Sequence, residues 1–211
     1  MNEWQTRAVK DALRSPRYLF RVVSDNSLGT NSTALVDSLA GQEIPLRGAE
    51  DWESQHYDDF TSMDWVRADA MLQAHFRWQY RFPSAFSSWS TSLLESLIYA
   101  LLKRDVWKES RILIYVLDTT KVTGPPRIYH APSLMNAFRL TSRPRLEVSW
   151  KKAAGEYLVY GKLSKHDGFT AVKLEDLIDA GLLNLGRRYD LGRWTDEYWF
   201  RGVIRIRYTY F

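Results

Sequence analysis

Three hydroxyl side chains, those of Ser90, Thr91 and Ser92, stand directly before an apolar run with helical spacing. Ser92 and Glu95 have the spacing of a capping box, which predicts a helix over about residues 93–107. The hydroxyls then lie at a corner between a strand and a helix, where free backbone N–H groups suit an anionic or ribose-bearing ligand. The alternative is that Ser92 only caps the helix.

Arg21 is the single charge on a strand predicted over residues 18–23, whose two faces are otherwise apolar. A buried guanidinium requires an anion beside it, because an uncompensated charge is costly away from water. The pattern leaves open whether this anion is a structural carboxylate or a ligand phosphate. The loop that follows, residues 24–33, is polar and rich in hydrogen-bond donors.

Composition limits the function classes. The chain has 211 residues, 45% of them hydrophobic and 26% charged, which is typical of one globular domain. It contains no cysteine, so a disulfide framework, a thiol nucleophile and a cysteine metal site are excluded. The four histidines are scattered without metal-ligand spacing and are interpreted as surface or satisfied core residues. The net charge of +4 favours a phosphate-bearing ligand.

The sequence contains no recognisable targeting or membrane-spanning segment. The N-terminus lacks the apolar region of a signal peptide, and no apolar run approaches the roughly 18 residues of a membrane span. The sequence therefore predicts an intracellular protein, cytoplasmic or nuclear, with no membrane partner.

Hydrophobic periodicity predicts a single α+β domain with a core over about residues 18–165 and a C-terminal helix and strand within residues 172–211. Strands are predicted over residues 18–23, 86–89, 111–117, 128–130, 156–163 and 203–211. Helices are predicted over residues 2–14, 63–80, 93–107, 132–140 and 173–185.

The ordered set of Arg21, Ser90-Thr91-Ser92 and Glu156 resembles the Arg–Ser–Glu class of ADP-ribosyltransferases, whose members include the cholera-toxin group. Glu156 heads a late predicted strand, as the catalytic glutamate does in that class. More closely, the run of segments resembles a family of fungal domains of uncharacterised function that share this fold. The matching pieces are residues 19–25 with 29–31, 75–78 with 86–92, 112–119 and 156–158.

The resemblance implies a split β-sandwich with helices packed around it, which holds NAD as a substrate in a cleft and needs no metal. It implies a toxin-like ADP-ribosyltransferase or NAD glycohydrolase that cleaves the bond between nicotinamide and ribose. In this reading Glu156 is the catalytic carboxylate, Arg21 holds the pyrophosphate, and Ser90 braces the cleft. The remaining implied ligand contacts come from Thr91, Ser92, Trp89, Tyr99, Tyr157, Gly29 and Asn31.

One departure from the class concerns the acceptor. Its arginine-modifying members carry an acid or amide two residues before the catalytic glutamate, where this chain has Ala154. The departure argues against arginine and leaves another protein side chain, nucleic acid, a small molecule or water. Lys151 and Lys152 favour a phosphate-rich acceptor.

Two further hypotheses remain open. One is a catalytically inactive module of the same scaffold that binds a nucleotide, nucleic acid or protein partner. The other is an unrelated α+β protein in which Arg21 pairs with a core carboxylate.

Overall fold

Two antiparallel sheets and four helices make up the part of the chain that the structure, a computed structural model, describes. That part comprises residues 6, 9–10, 13, 15–38, 60–76, 84–123, 127–140 and 155–184. The strands are β1 (Tyr18–Val23), β2 (Thr30–Asn31), β3 (Leu35–Asp37), β4 (Phe86–Ser90), β5 (Leu113–Asp118), β6 (Ile128–His130), β7 (Glu156–Tyr160), β8 (Leu163–Ser164) and β9 (Phe169–Lys173). The helices are α1 (Trp65–Phe76), α2 (Leu93–Asp105), α3 (Ala131–Ala137) and α4 (Leu174–Asp179). The predicted single α+β domain is confirmed.

The main sheet has the strand order β6-β7-β4-β1-β5-β9, and the small sheet has the order β2-β3-β8. Every described pairing in both sheets is antiparallel. β1 pairs with β5 over its whole length, but with β4 through one registered pair, Phe20 and Ser90. The contact between β1 and β4 is therefore the weakest seam inside the main sheet.

Alternation along the strands gives the main sheet two different faces. One face packs against the small sheet in an apolar layer that includes Leu19, Trp89 and Val159 from the main sheet and Val36 from β3. The opposite face, here called the helical face, packs against the helices in two further apolar clusters. Burial of each large apolar side chain in these layers is worth about 1.5–3 kcal/mol.

Several element bounds confirm the sequence analysis, and others do not. The strand predicted over residues 111–117 begins only at Leu113, and the helix predicted over residues 132–140 ends at Ala137. β1 and β6 have the predicted bounds, and α2 begins at Leu93 as predicted. The strand predicted over residues 156–163 is interrupted at Gly161, whose φ of 79° turns the chain from the main sheet into the small one. The helix predicted over residues 173–185 ends at Asp179, because Gly181 adopts a φ of 95°.

The strands β2, β3 and β9 were not predicted. β2 has two residues and lies in the polar segment 24–33 that was interpreted as a loop, and β3 has three residues and follows that segment. The segment of β9, Phe169–Lys173, has no sharp alternation, yet it pairs with β5 over five residues and forms an edge of the main sheet. The C-terminal strand predicted over residues 203–211 lies outside the described residues, as do Ala154, Lys151 and Lys152. Among the described helices, none has the length and apolar character needed to cross a membrane.

Candidate active site

Ser88 is the centre of the candidate site. It lies in the middle of β4, and the alternation of that strand turns its side chain to the helical face together with Ser90. Three functional groups contact Ser88: the His75 ring and the Glu156 carboxylate meet its side chain, and the Arg21 guanidinium meets its main-chain carbonyl. These four residues are called the Ser88 cluster.

Arg21 lies on β1 opposite Tyr115, so its side chain leaves the strand on the face of the small sheet, as that of Leu19 does. Its guanidinium reaches the main chain of β4 from that side. Nη1 donates a hydrogen bond of 2.9 Å to the main-chain carbonyl of Ser88. This bond joins β1 to β4 just beyond their single registered pair. Burial lowers the pKa of Arg21 to about 10, an effect that the nearby Tyr115 and Tyr99 partly offset.

The charge of Arg21 has no anionic partner among the residues that the structure describes. The four ion pairs in this part of the chain involve other residues. Its Nε is buried and makes no hydrogen bond. A structural carboxylate beside Arg21, one of the two possibilities left open by the sequence, is thus absent from the described part, and the cation has free capacity for a ligand anion.

His75, near the end of α1, forms two hydrogen bonds with serine side chains. Nε2 lies 2.9 Å from Ser88 Oγ, and Nδ1 lies 3.1 Å from Ser84 Oγ. Burial, followed by the positive charge of Arg21, lowers the pKa of His75 to about 4. The ring is therefore neutral at physiological pH and acts as one donor and one acceptor.

Glu156 begins β7 and lies directly opposite Ser90 in the strand register. Burial raises the pKa of Glu156, whereas a hydrogen bond with the Ser88 side chain lowers that pKa by a smaller amount. Burial thus disfavours the charged carboxylate, while the serine hydroxyl favours it.

These contacts form one directed chain of hydrogen bonds when Glu156 is ionised. Ser88 has one hydroxyl proton, which it donates to the carboxylate, so Ser88 Oγ accepts from the Nε2–H of His75. Nδ1 then accepts from the Ser84 hydroxyl, whose oxygen also receives the Phe86 backbone N–H at 3.2 Å. The chain assigns one tautomer to His75 and holds Ser88 with its proton toward Glu156.

The predicted Ser90-Thr91-Ser92 corner exists, and its groups stabilise the start of α2. Ser92 is the N-cap and accepts the Glu95 backbone N–H at 3.1 Å. Ser90 Oγ accepts the Ser92 backbone N–H at 3.0 Å and lies 3.4 Å from Glu95 Oε2. The Thr91 backbone N–H donates to the carbonyl of Gly155, next to Glu156, at 2.9 Å. The corner therefore connects the helix start to the strand that holds the carboxylate.

The three aromatic residues predicted to contact the ligand lie in different places. Trp89 and Tyr157 are register partners and face the small sheet, away from Glu156. Trp89 is 2% exposed and donates its indole N–H to Ser87, so it belongs to the core. Tyr99, on α2, lies near Arg21 and packs edge-on against Trp107.

Gly29 and Asn31 lie at the entrance to the β2–β3 hairpin. Gly29 has a φ of 86°, and a Cβ at this position would stand 2.3 Å from the Asp37 carbonyl oxygen. The Asn31 amide donates to the Leu28 and Gly29 carbonyls, and its side-chain oxygen is buried without a hydrogen bond. No contact in the described structure joins these two residues to the Ser88 cluster.

Sequence reasoning missed the roles of Ser88 and His75. Ser88 is one of several serines in residues 84–92, and only its place in the strand alternation separates it from Ser87. His75 was interpreted as a surface or satisfied core histidine, and both of its nitrogens do have partners.

The described residues contain no group of three acidic, histidine or cysteine side chains suited to a metal ion.

Comparison with known proteins gives one match. The model of the family described as "Domain of unknown function (DUF7587)" matches residues 14–177, which include every residue of the Ser88 cluster. No curated protein and no solved structure matches the chain significantly. The family match covers more than half of the chain, and the chain therefore belongs to this family of domains of unknown function, DUF7587.

Proposed function

We propose that this domain is an NAD-dependent ADP-ribosyltransferase or NAD glycohydrolase with Glu156 as its catalytic carboxylate. The observation that carries the proposal is the meeting of His75 and Glu156 at the Ser88 side chain and of Arg21 at the Ser88 carbonyl, with the Arg21 charge left without an anion in the described structure. The main sheet, packed on a small antiparallel sheet with helices on its other face, supports a scaffold of the split β-sandwich type.

Arg21 provides the binding site for the pyrophosphate of NAD. A guanidinium presents several N–H donors in a plane and binds phosphate oxygens through paired hydrogen bonds. The buried, unpartnered Nε of Arg21 is a donor that a ligand oxygen would satisfy. A buried cation without its anion destabilises the free protein, so part of the binding energy is the relief of that penalty.

Glu156 stabilises the positive charge that develops on the ribose. In the reaction the bond from C1′ to the nicotinamide nitrogen breaks, and its electron pair leaves with nicotinamide. An oxygen or nitrogen of the acceptor, or water, forms the new bond to C1′ and loses its proton. A carboxylate close to the developing oxocarbenium ion lowers the barrier, as in glycoside cleavage.

Ser88 and His75 are positioning residues in this scheme. Ser88 holds the Glu156 carboxylate by a hydrogen bond that favours its ionised form. His75 holds Ser88, and its neutral ring adds no second positive charge that would compete with Arg21 for the ligand anion. Ser90, opposite Glu156 in register, ties this strand pair to the start of α2.

The decisive experiment measures nicotinamide release from NAD by the purified protein. We expect Glu156→Gln to abolish release while circular dichroism and the unfolding midpoint stay close to those of the wild type. Glu175→Gln is the matched control, because Glu175 is an exposed glutamate on α4, a helix that contributes no residue to the Ser88 cluster. Sustained release by a folded Glu156→Gln protein would remove Glu156 from the mechanism.

A second candidate function is a catalytically inactive module that binds a nucleotide, nucleic acid or protein partner. Ala154, at the position of the second acid of the arginine-modifying enzymes, favours it. This candidate predicts saturable binding of ADP-ribose by the wild type without nicotinamide release, including when cell extract supplies acceptors. It also predicts that Arg21→Met abolishes that binding.

A further inference from the structure

An open cavity of about 440 Å³ lies at the edge of the main sheet where β1 and β9 begin and β5 ends, and no residue of the Ser88 cluster lines it. Its volume falls in the range of sites that hold small molecules or parts of larger ligands. The lining that matters here comprises Tyr18, Val116, Asp118, Lys121, Lys165 and Thr170.

The cavity has an excess of positive charge. Lys121 and Lys165 are exposed and take part in none of the ion pairs of the described residues. The one acid of the lining, Asp118, already accepts hydrogen bonds from Thr120 and lies 3.8 Å from Arg17. Two lysines and the Arg17 guanidinium thus outnumber a single carboxylate.

The position of Lys121 depends on a glycine. A Cβ on Gly168 would stand 2.5 Å from the Cβ of Lys121, so the lysine stem lies directly against the glycine backbone. Gly168 also has a φ of 79°, which favours glycine for conformational reasons. The turn between the 3₁₀ segment Lys165–Asp167 and β9 therefore holds the Lys121 stem at the cavity.

Two aromatic side chains accompany these cations. Tyr18 is 43% exposed, and the Arg17 guanidinium lies 5.0 Å from its ring centre. Phe20, two residues along β1, projects from the same face of the sheet and is half-buried. Successive aromatic rings with cations beside them on an open surface are typical of proteins that bind single-stranded nucleic acid. In such proteins the bases stack on the rings and the phosphates pair with the cations.

The cavity and the Ser88 cluster are connected by one row across the main sheet. The register aligns Glu156, Ser90, Phe20, Val116 and Thr170 on five successive strands. Each of these five residues is half-buried or exposed, whereas the row Leu19, Leu117 and Phe169 on the other face is buried. At about 4.8 Å per strand, Val116 lies about 14 Å and Thr170 about 19 Å from Glu156.

We infer that this strip of the helical face, from the lysine-lined cavity along Tyr18 and Phe20 toward Glu156, binds single-stranded nucleic acid. The phosphates pair with Arg17, Lys121 and Lys165, and bases stack on the two rings. The span of the strip corresponds to a few nucleotides. The binding inference depends only on these contacts. A further role of the bound nucleic acid, as the acceptor of ADP-ribose, rests on the proposed function.

The test is fluorescence anisotropy with labelled single-stranded DNA and RNA oligonucleotides of about 12 nucleotides. Three phosphate contacts give a slope of about −2 for the logarithm of the association constant against that of salt concentration. We expect the double variant Lys121→Glu with Lys165→Glu to lower the affinity at least about tenfold. Tyr18→Ala should lower it at least about fivefold through the lost stacking.

The matched control is the double variant Lys162→Glu with Lys173→Glu, which makes the same change in net charge at exposed lysines outside the cavity. It should retain affinity within about threefold of the wild type. Equal losses in both double variants would reduce the effect to net charge and overturn the inference. Failure of the wild type to bind either oligonucleotide, or equal competition by a glutamate-rich peptide, would also overturn it.

Nicotinamide release measured on the same proteins separates this inference from the proposed function. Release in the absence of acceptor should be unchanged in both double variants, because neither alters the Ser88 cluster. Oligonucleotide binding without nicotinamide release would contradict the proposed enzyme and leave the binding strip intact. Release without oligonucleotide binding would overturn only the strip.

Discussion

Replacement of Arg21 by methionine should stabilise the free protein while abolishing ligand binding. The pKa of Arg21 falls from 12.5 to about 10, and at 1.36 kcal/mol per pKa unit this corresponds to about 3 kcal/mol of unfavourable burial. Loss of the hydrogen bond to the Ser88 carbonyl costs about 1 kcal/mol. Methionine fills much of the same volume, so we expect the free energy of unfolding to rise by about 1–2 kcal/mol.

The direction of the pKa shift of Arg21 determines the pH at which the unfolding experiment should be done. Arg21 is a base whose folded pKa lies below its unfolded value, so it is charged in both states below about pH 10. The penalty is then fully present at neutral pH and is relieved only as the pH rises through that value. Urea unfolding at neutral pH, followed by tryptophan fluorescence, is therefore the appropriate assay.

Arg127→Met is a control of opposite sign. The Arg127 guanidinium lies 2.7 Å from the buried Asp167 carboxylate and also donates to the Lys162 and Thr123 carbonyls. Removal of this cation leaves the buried Asp167 charge with only its hydrogen bonds from Ser164, and it should lower the free energy of unfolding by about 2 kcal/mol or more.

The refuting result is a loss of stability. If Arg21→Met lowers the free energy of unfolding by more than about 1 kcal/mol, the main role of Arg21 is to join β1 to β4. A second readout concerns the ligand. ADP-ribose at one hundred times its dissociation constant should stabilise the wild type by about 2.7 kcal/mol and leave Arg21→Met unaffected.

Two further predictions concern His75 and Gly29. The folded pKa of His75 is about 4 and its ordinary value is 6.5, so the unfolded chain takes up the proton first, and stability should fall as the pH drops between these values. Near pH 4.5 the loss amounts to about 2–3 kcal/mol by urea unfolding, and a His75→Gln protein that shows the same loss would contradict this account. Gly29→Ala should lower the free energy of unfolding by about 2 kcal/mol or more, because its φ is 86° and the new Cβ would meet the Asp37 carbonyl. Gly155→Ala, where the nearest contact is the Thr91 hydroxyl at 3.0 Å and φ is not left-handed, should cost clearly less in the same urea titration.

The sequence predicted elements best where the signal is local. β1 and β6 were found with their predicted bounds, since short runs of β-forming residues are bounded there by polar or proline residues. The start of α2 followed from Ser92, whose capping depends only on residues up to three positions away. β9 was missed because Phe169–Lys173 becomes a strand by pairing with β5, which lies more than fifty residues earlier in the chain.

Some residues of the candidate site were likewise identified from local sequence, and others only from the tertiary structure. The sequence by itself identified Arg21 as a charge that needs an anion, because a lone cation on an apolar strand is a local observation. Only the tertiary structure placed His75 and Glu156 on Ser88, and it turned Trp89 to the core on the opposite face. Those relations depend on which strands pair and in which register, and a shift of one residue would exchange the two faces. The sequence determines the chemical type of each side chain, whereas the pairing and packing of the sheet determine which distant side chains come into contact.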